Sequence, residues 1–418
     1  MASNVYVLGA YSTAFQPWPD SRFEDLVREA YIGALRDAGM DNGLDLSAAW
    51  FGNCLMSYWG QAMTRGSVSF IPLVHEGLFP DRAPIFNVEG ACATGSIALA
   101  GAIKEIRAGD ADLTLAIGVE KLYDREQPPS LPAEIAGGFD CTDPLDLIEN
   151  HQRLGESVGM PFGLSIGRLM AIDTYAIQAN YHMKKFKTTA EQIAIGAAKN
   201  YSNGALNPKA QYRLGMSPES VLADRIVSAP LTRAMCAPIG DGAAAAIVCS
   251  ERYLRTVSAS VKDRAIKIRA LAITGGEYRL PGELSLTRAA ADRAYAVAGL
   301  CPSDVDVAEI HDATSFSEIY QCEMMRFCRI GEGGQFVGSG ATKIGGTLPV
   351  NTSGGLVSKG DPTGATGLSM CYELVTQLRG EAGKRQVQNA VIGLQQNGGG
   401  LIGMGEVLAA VTIYERSR

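Results

Sequence analysis

Asn87-Val-Glu-Gly-Ala-Cys92-Ala-Thr-Gly-Ser96 lies between an apolar extended run, Ala83 to Val88, and an Ala-rich helical run that reaches about Ala108. A strand that enters a helix through a glycine-containing turn is the local unit of an α/β layer fold. The turn sets Cys92 at the start of the helix, where unpaired N–H groups and the helix dipole favour negative charge. A free cysteine titrates at about 8.5, and such a position is a recognised way to lower that value and make a thiolate nucleophile. Gly90 and Gly95 allow a tight turn and the close approach of a substrate. The same position also suits a small buried thiol at a strand–helix junction, so the choice rests on the rest of the chain.

Working outward, Val5 to Leu8 and Leu113 to Val119 read as buried strands and Phe23 to Ala38 as a helix with apolar residues at helical spacing. From Asp124 to about Ser165 prolines and glycines interrupt any periodicity, which predicts an insertion over the face of the domain. Leu164 to Tyr181 and Thr189 to Asn200 return to helix. Alternation resumes near Ile266, with Ala289 to Ala298 helical, Val307 to Ile310 a strand and Thr363 to Leu378 a helix. Val391 to Leu394 and Val407 to Tyr414 then close the chain as strands. The two alternating regions echo each other. Phe86-Asn87 leads through a turn to Ala93-Thr94-Gly95 and a helix, and Val350-Asn351 leads through a longer turn to Ala365-Thr366-Gly367 and a helix.

The chain has 418 residues, enough for two or more domain-sized units, and a net charge of −7. An acidic balance argues against a nucleic-acid surface, which needs a basic stripe. Nine cysteines, an odd number without C-x-x-C pairs, suit a reducing compartment, and four scattered histidines give no zinc-ligand spacing. The N-terminus lacks the basic region of a signal peptide, no uncharged apolar run reaches membrane-spanning length, and the last residues are not a Ser-Lys-Leu address. A cytoplasmic protein without membrane or nucleic-acid partners is the expectation.

Further segments carry a specific likeness: Asn207-Pro-Lys-Ala-Gln-Tyr-Arg213, Gly240-Asp-Gly-Ala-Ala-Ala-Ala246, His311-Asp312, Ser353-Gly-Gly-Leu-Val-Ser-Lys-Gly360 and Leu378-Arg-Gly-Glu-Ala-Gly-Lys-Arg385. With Gly90-Ala-Cys92-Ala-Thr-Gly-Ser96 they span most of the chain in one order, and in that order the chain resembles the thiolase superfamily, within it the sterol-carrier-protein thiolase branch. The resemblance implies an α/β thiolase fold of two related halves, five-layered αβαβα, with a loop-domain insertion. On that reading residues 1–122 plus 220–260 form the N-terminal half, 123–219 the insertion and 261–418 the C-terminal half.

The implied activity is thiolytic cleavage of a 3-ketoacyl-CoA, or the reverse Claisen condensation, through an acyl-enzyme. It requires an activated thiolate, donors for two oxyanions and an acid/base for the proton on the leaving carbon. Cys92 matches the nucleophile, and His311 matches the histidine that binds the thioester oxygen. Gly398, Gly399 and Gly400 match the glycine loop whose N–H, with that of Cys92, forms the second oxyanion hole. Ser353 and Gly354, with Gly240-Asp241-Gly242, match pocket positions. The resemblance also implies coenzyme A as co-substrate, no covalently bound cofactor, an acyl-CoA substrate and a homodimer. With the long insertion, it points to a bulky steroid-like or aromatic acyl group.

Two positions depart from the family pattern. Gly360-Asp361-Pro362 stands where the family has Gly-His-Pro, whose histidine activates the nucleophile. The second cysteine is missing both from the glycine loop and after His-Asp, where Ala313 stands. Asp361 reads either as the replacement acid/base or as an N-cap ahead of a first-turn proline. A carboxylate beside a thiol also opposes its ionisation. Cys322 and Cys371 fall on helices and read as packing, and Lys184-Lys185-Phe186-Lys187 as a solvated basic turn. The departures keep three alternatives open: retro-aldol cleavage of a steroid-type CoA thioester with a small OB-fold partner, hydrolytic C–C cleavage, and a non-catalytic acyl-CoA-binding subunit.

Overall fold

The structure, a computed structural model, describes residues 4–125, 138–140, 142–163, 169–276 and 278–417. Its frame is one mixed sheet. The strands are β1 (Val5–Ser12), β2 (Ala48–Gly52), β3 (Ile85–Val88), β4 (Leu113–Glu120), β7 (Gly242–Ser250), β8 (Ile266–Gly275), β9 (Val307–Ile310), β10 (Ile392–Gly399) and β11 (Leu408–Arg416). A separate hairpin, β5 (Ile226–Ser228) with β6 (Leu231–Thr232), lies in the connection between β4 and β7.

The strand order is β3-β2-β4-β7-β1-β8-β11-β10-β9. Read from either end, it repeats. β2 pairs parallel with β3 and β4, and β7 runs antiparallel to both β4 and β1. In the second half β9 pairs parallel with β10 and, through Ala308, with Val350, while β11 runs antiparallel to β10 and β8. The halves meet where β1 and β8 pair antiparallel, Val5 with Ile268 and Val7 with Ile266. The duplication suspected from two Ala-Thr-Gly units is therefore a property of the whole topology.

Period-two patterning explains the layers. Along β7, Ala244, Ala246 and Val248 face the central helices, whereas Ala243, Ala245 and Ile247 face the outer layer. The outer layer of the first half is α1 (Phe23–Asp37) and α2 (Arg65–His75). The central layer is α3 (Thr94–Ala108) against the long C-terminal helix Thr363–Arg379. Between β4 and β7 come α4 (Pro144–Val158), α5 (Met170–Phe186), α6 (Ala190–Gly204) and α7 (Pro218–Leu222). The short α8 (Glu251–Leu254) and α9 (Ala259–Arg264) link β7 to β8. α10 (Leu286–Ala298) covers the outer face of the second half, and α11 (Ser315–Met324) follows β9. α12 (Gly333–Gly338), α13 (Gly355–Lys359) and α14, the helix Thr363–Arg379, complete the set. The stack is helix–sheet–helix–sheet–helix, the expected α/β architecture.

The fold corrects two local expectations. α4 is a regular helix inside the stretch read as aperiodic. It is capped by the Asp143 side chain accepting from the Asp146 amide, with Pro144 in its first turn. The helix expected from Leu164 starts at Met170, and residues 164–168 lie outside the described residues. Cys322 and Cys371 are fully buried in the cores, as the packing reading expects. Among the described residues no helix is long and apolar enough to cross a membrane.

α3 and α14 touch at their glycines. A Cβ on Gly367 would stand 2.5 Å from the Ser96 amide nitrogen and 2.6 Å from Asn397 Oδ1. Alanine gains about 1 kcal/mol of helix propensity over glycine, but overpacking against backbone typically costs about 1–3 kcal/mol or more. The backbone clash decides the sign. Gly367→Ala is expected to lower unfolding free energy by about 2 kcal/mol, read as a fall in the urea midpoint. An unchanged midpoint would mean that the two helices separate freely.

Candidate active site

The tips of α3 and α14 converge. Ala91–Ala93 form a short 3₁₀ turn ahead of α3, with Ala91 at φ +48°, and this turn presents the Cys92 thiol. A ring nitrogen of His311, just past β9, and a carboxylate oxygen of Asp361, just before α14, join it. The three reactive atoms lie within 4.8 Å of one another. The C-terminal glycine turn closes on the same place: a Cβ on Gly399 would stand 2.5 Å from the Ala93 amide nitrogen and would strike the Gly90 carbonyl. Only glycine admits that approach.

The thiol behaves opposite to expectation. Burial pushes the Cys92 pKa well above the ordinary range, and the negative charges of Asp361, Glu120 and Glu89 push it the same way. Its own backbone N–H is the one opposing influence among the leading causes. Desolvation and facing carboxylates outweigh the helix start. The thiol form of Cys92 is therefore favoured, and a nucleophilic role would require a base.

His311 is set by a buried relay of side chains. Tyr414 donates its hydroxyl to Gln395 Oε1 at 2.7 Å, and Gln395 Nε2 donates to Ser96 Oγ at 2.9 Å. Ser96 Oγ donates to Asn397 Oδ1 at 2.8 Å, leaving Asn397 Nδ2 to donate to His311 Nδ1 at 3.1 Å. With Nδ1 as acceptor, the neutral ring carries its proton on Nε2. Burial lowers the imidazole pKa, against the pull of Asp361 and Glu406. The His311 amide donates to Gln396 Oε1 at 2.9 Å, which fixes the ring's backbone. Sequence reasoning passed over these three amides. Their signal was Gln395-Gln396-Asn397 in a closing strand, directly before Gly398.

Asp361 is not the N-cap. Pro362 occupies that position, without a side-chain cap, and Asp361 stands one residue earlier. Its Oδ1 accepts from the Thr366 hydroxyl at 2.6 Å, so the second Ala-Thr-Gly orients the carboxylate. A second acid, unnoticed in the sequence, ties the halves together. Glu120 is fully buried and accepts from Asn53 Nδ2, the Cys54 and Leu55 amides, Thr363 Oγ1 and the Gly364 amide.

Ser353 and Gly354 are placed elsewhere. Ser353 gives its amide and hydroxyl to buried Glu309, at 3.0 and 2.5 Å, and Gly354 packs on Gly204 of α6. Asp241 is buried as well, accepting from the amides of Trp18, Leu122 and Tyr123. These residues shape the surrounding scaffold. Lys184 and Lys185 end α5, and Lys185 Nζ lies over the rings of Tyr181 and Phe186.

Two adjoining cavities lie on this side of the site. The inner one, about 340 Å³ with open solvent included, is lined by His311, Tyr175, Glu406 and Gln321. The outer one, about 640 Å³ with the solvent at its mouth included, is lined by Tyr181, Phe186 and Arg279 among others. Gln178, Tyr320 and Met404 line both.

A thiol at the tip of a central helix, between two α/β halves of equal topology, is the plan of the thiolase-fold acyltransferases. The comparisons agree. A profile described as thiolase, N-terminal domain, matches residues 5–222, and one described as thiolase C-terminal domain-like matches residues 282–414. An acetyl-CoA acetyltransferase of Methanothermobacter thermautotrophicus is 36% identical over 418 residues, 99% of this chain and 100% of the relative. Sterol carrier protein 2 of Bos taurus is 34% identical over 425 residues, 99% of this chain and 73% of the relative. The solved structure of an Ltp2–ChsH2(DUF35) aldolase has a TM-score of 0.77 at 21% identity, covering 100% of this chain and 99% of that one, a likeness of fold. The chain belongs to the thiolase family, and it is an enzyme of the acyl-CoA thiolase type.

Proposed function

We propose that the protein cleaves a 3-ketoacyl-CoA by thiolysis, or runs the reverse Claisen condensation, through an acyl group carried on Cys92. The observation that carries this reading is the meeting of Cys92, His311 and Asp361 within 4.8 Å. Asp361 takes the thiol proton as Sγ attacks the ketone carbon, in the role the family gives to histidine. His311 Nε2–H donates to the thioester oxygen as negative charge develops there, and the N–H groups of Cys92 and the Gly398–Gly400 turn serve the second oxyanion. Coenzyme A is the co-substrate. The ring-lined outer cavity supports an acyl group with a bulky or aromatic end. A homodimer and a cytoplasmic location belong to the same reading.

Intact mass after incubation with a panel of 3-ketoacyl-CoAs tests it. The expected result is an acyl adduct that added CoA clears. Clearance by water alone would favour hydrolytic cleavage. No adduct with any substrate would sink the thiolase reading.

The retro-aldol alternative, with a small OB-fold partner, is favoured by the missing second cysteine and by the likeness of fold to an aldolase. It predicts turnover of a 3-hydroxyacyl-CoA without an adduct.

Asp361→Asn separates a base from a mere neighbour. Removing its charge relieves the repulsion on Cys92, so the thiolate fraction rises and iodoacetamide alkylation at pH 7 quickens about threefold for each unit by which the thiol pKa falls. Acyl transfer to Cys92 is expected to fall over the same change. Both rates rising together would limit Asp361 to an electrostatic effect.

A further inference from the structure

Chemistry at the α-carbon needs one group that the family places in a second cysteine, and neither family position holds a cysteine here. The inner cavity holds a different acid. Glu406 lines it beside His311 and is 9% exposed. One of its carboxylate oxygens is engaged: Oε1 accepts from Gln321 Nε2 at 2.8 Å and from Thr287 Oγ1 at 3.3 Å. The other, Oε2, is buried with no hydrogen-bond partner among the described residues. A buried carboxylate oxygen without a partner is costly, and it persists where a substrate or a proton completes it.

The position fits the chemistry. Glu406 packs against the glycine turn, where a Cβ on Gly398 would stand 2.9 Å from its Cγ. It lines one cavity with Tyr175 and with His311, the residue that meets Cys92 and Asp361 within 4.8 Å. Thr287 and Gln321 fix one oxygen and thereby aim the other.

We propose that Glu406 is the acid/base that moves the α-carbon proton, in place of the family's second cysteine. The role rests on the thiolase reading above. In the condensation direction the Glu406 carboxylate takes a proton from the α-carbon of the second acyl-CoA, whose thioester oxygen is held by His311 Nε2–H. The electron pair left on that carbon attacks the acyl carbon on Cys92, and a C–C bond forms. The Sγ–C bond breaks with its pair on sulfur, Glu406 gives its proton to solvent, and Asp361 delivers a proton from solvent to that sulfur. Carboxylate and thiol are both regenerated. Cleavage runs the same steps in reverse.

The test reads two exchanges on the intact protein with acetyl-CoA and propionyl-CoA as probes. Deuterium entering the α-carbon in heavy water reports carbon acid chemistry, and transfer of the acyl group to isotopically labelled CoA reports Cys92 alone. E406Q keeps the shape and one oxygen for Gln321 and Thr287. It is expected to lose at least 100-fold in α-deuteration while acyl transfer falls less than tenfold. E406D is expected to recover part of the α-deuteration. Retained α-deuteration in E406Q, or an equal fall of both exchanges, would overturn the assignment to Glu406. Absence of acyl transfer in the unaltered protein would overturn the thiolase reading itself, and the role with it.

Discussion

Cys92→Ala is expected to abolish the acyl adduct and to lower 3-ketoacyl-CoA cleavage by about 10⁴-fold or more, the scale seen when a covalent nucleophile is removed. That is about 5 kcal/mol of barrier. The loss should be nearly complete because the described thiols on neighbouring elements are engaged otherwise. Cys322 and Cys371 are sealed in the cores, and Cys54 is engaged with the Ala91 carbonyl and the Thr94 hydroxyl. Substrate binding should persist, since alanine keeps the 3₁₀ turn and removes only sulfur. Cleavage at the parental rate would exclude the acyl-enzyme and leave the retro-aldol route.

The second large effect is on His311. His311→Ala should lower cleavage by about 10³-fold, because an oxyanion donor aimed in a dry site contributes far more than one in water. The pH profile carries the sign. The folded imidazole titrates below its ordinary 6.5, so protonation is postponed to more acidic solution. Cleavage attributable to His311 should hold level as pH falls through 6.5 and decline only below it. The decline marks the point where Nδ1 gains a proton and can no longer accept from Asn397. A rate that already halves at pH 6.5 would mean that burial does not lower the imidazole pKa.

Much of this was legible along the chain. β9 falls on Val307–Ile310 as read, and the Ala-Thr-Gly helices run as α3 and α14 within two residues of expectation, because buried strands and amphipathic helices advertise their period. α4 was hidden because its apolar residues are few and sit among prolines and acids. The sign of the Cys92 shift was hidden for another reason. A helix start is visible in sequence, whereas depth of burial and the carboxylates that face it arise from Glu89, Glu120 and Asp361, brought together by folding. Asn397 and Glu120 act through partners far along the chain, so nothing near them announces their work. Ser353 shows the converse: a family motif marked it, yet its hydroxyl serves Glu309.

The doubled topology has one more implication. Aligning the two Ala-Thr-Gly turns puts Gly364 opposite Cys92 and Asp361 opposite Glu89. The two copies meet tip to tip across the pseudo-dyad, so each mutation in one turn confronts whatever the other has come to carry. On the reading proposed above, one turn carries the nucleophile and the other its proton acceptor. Chemistry in such a scaffold can be rewritten from a single side while the opposite face stays as it was. An aspartate standing in the family's histidine position is the mark of that one-sided revision.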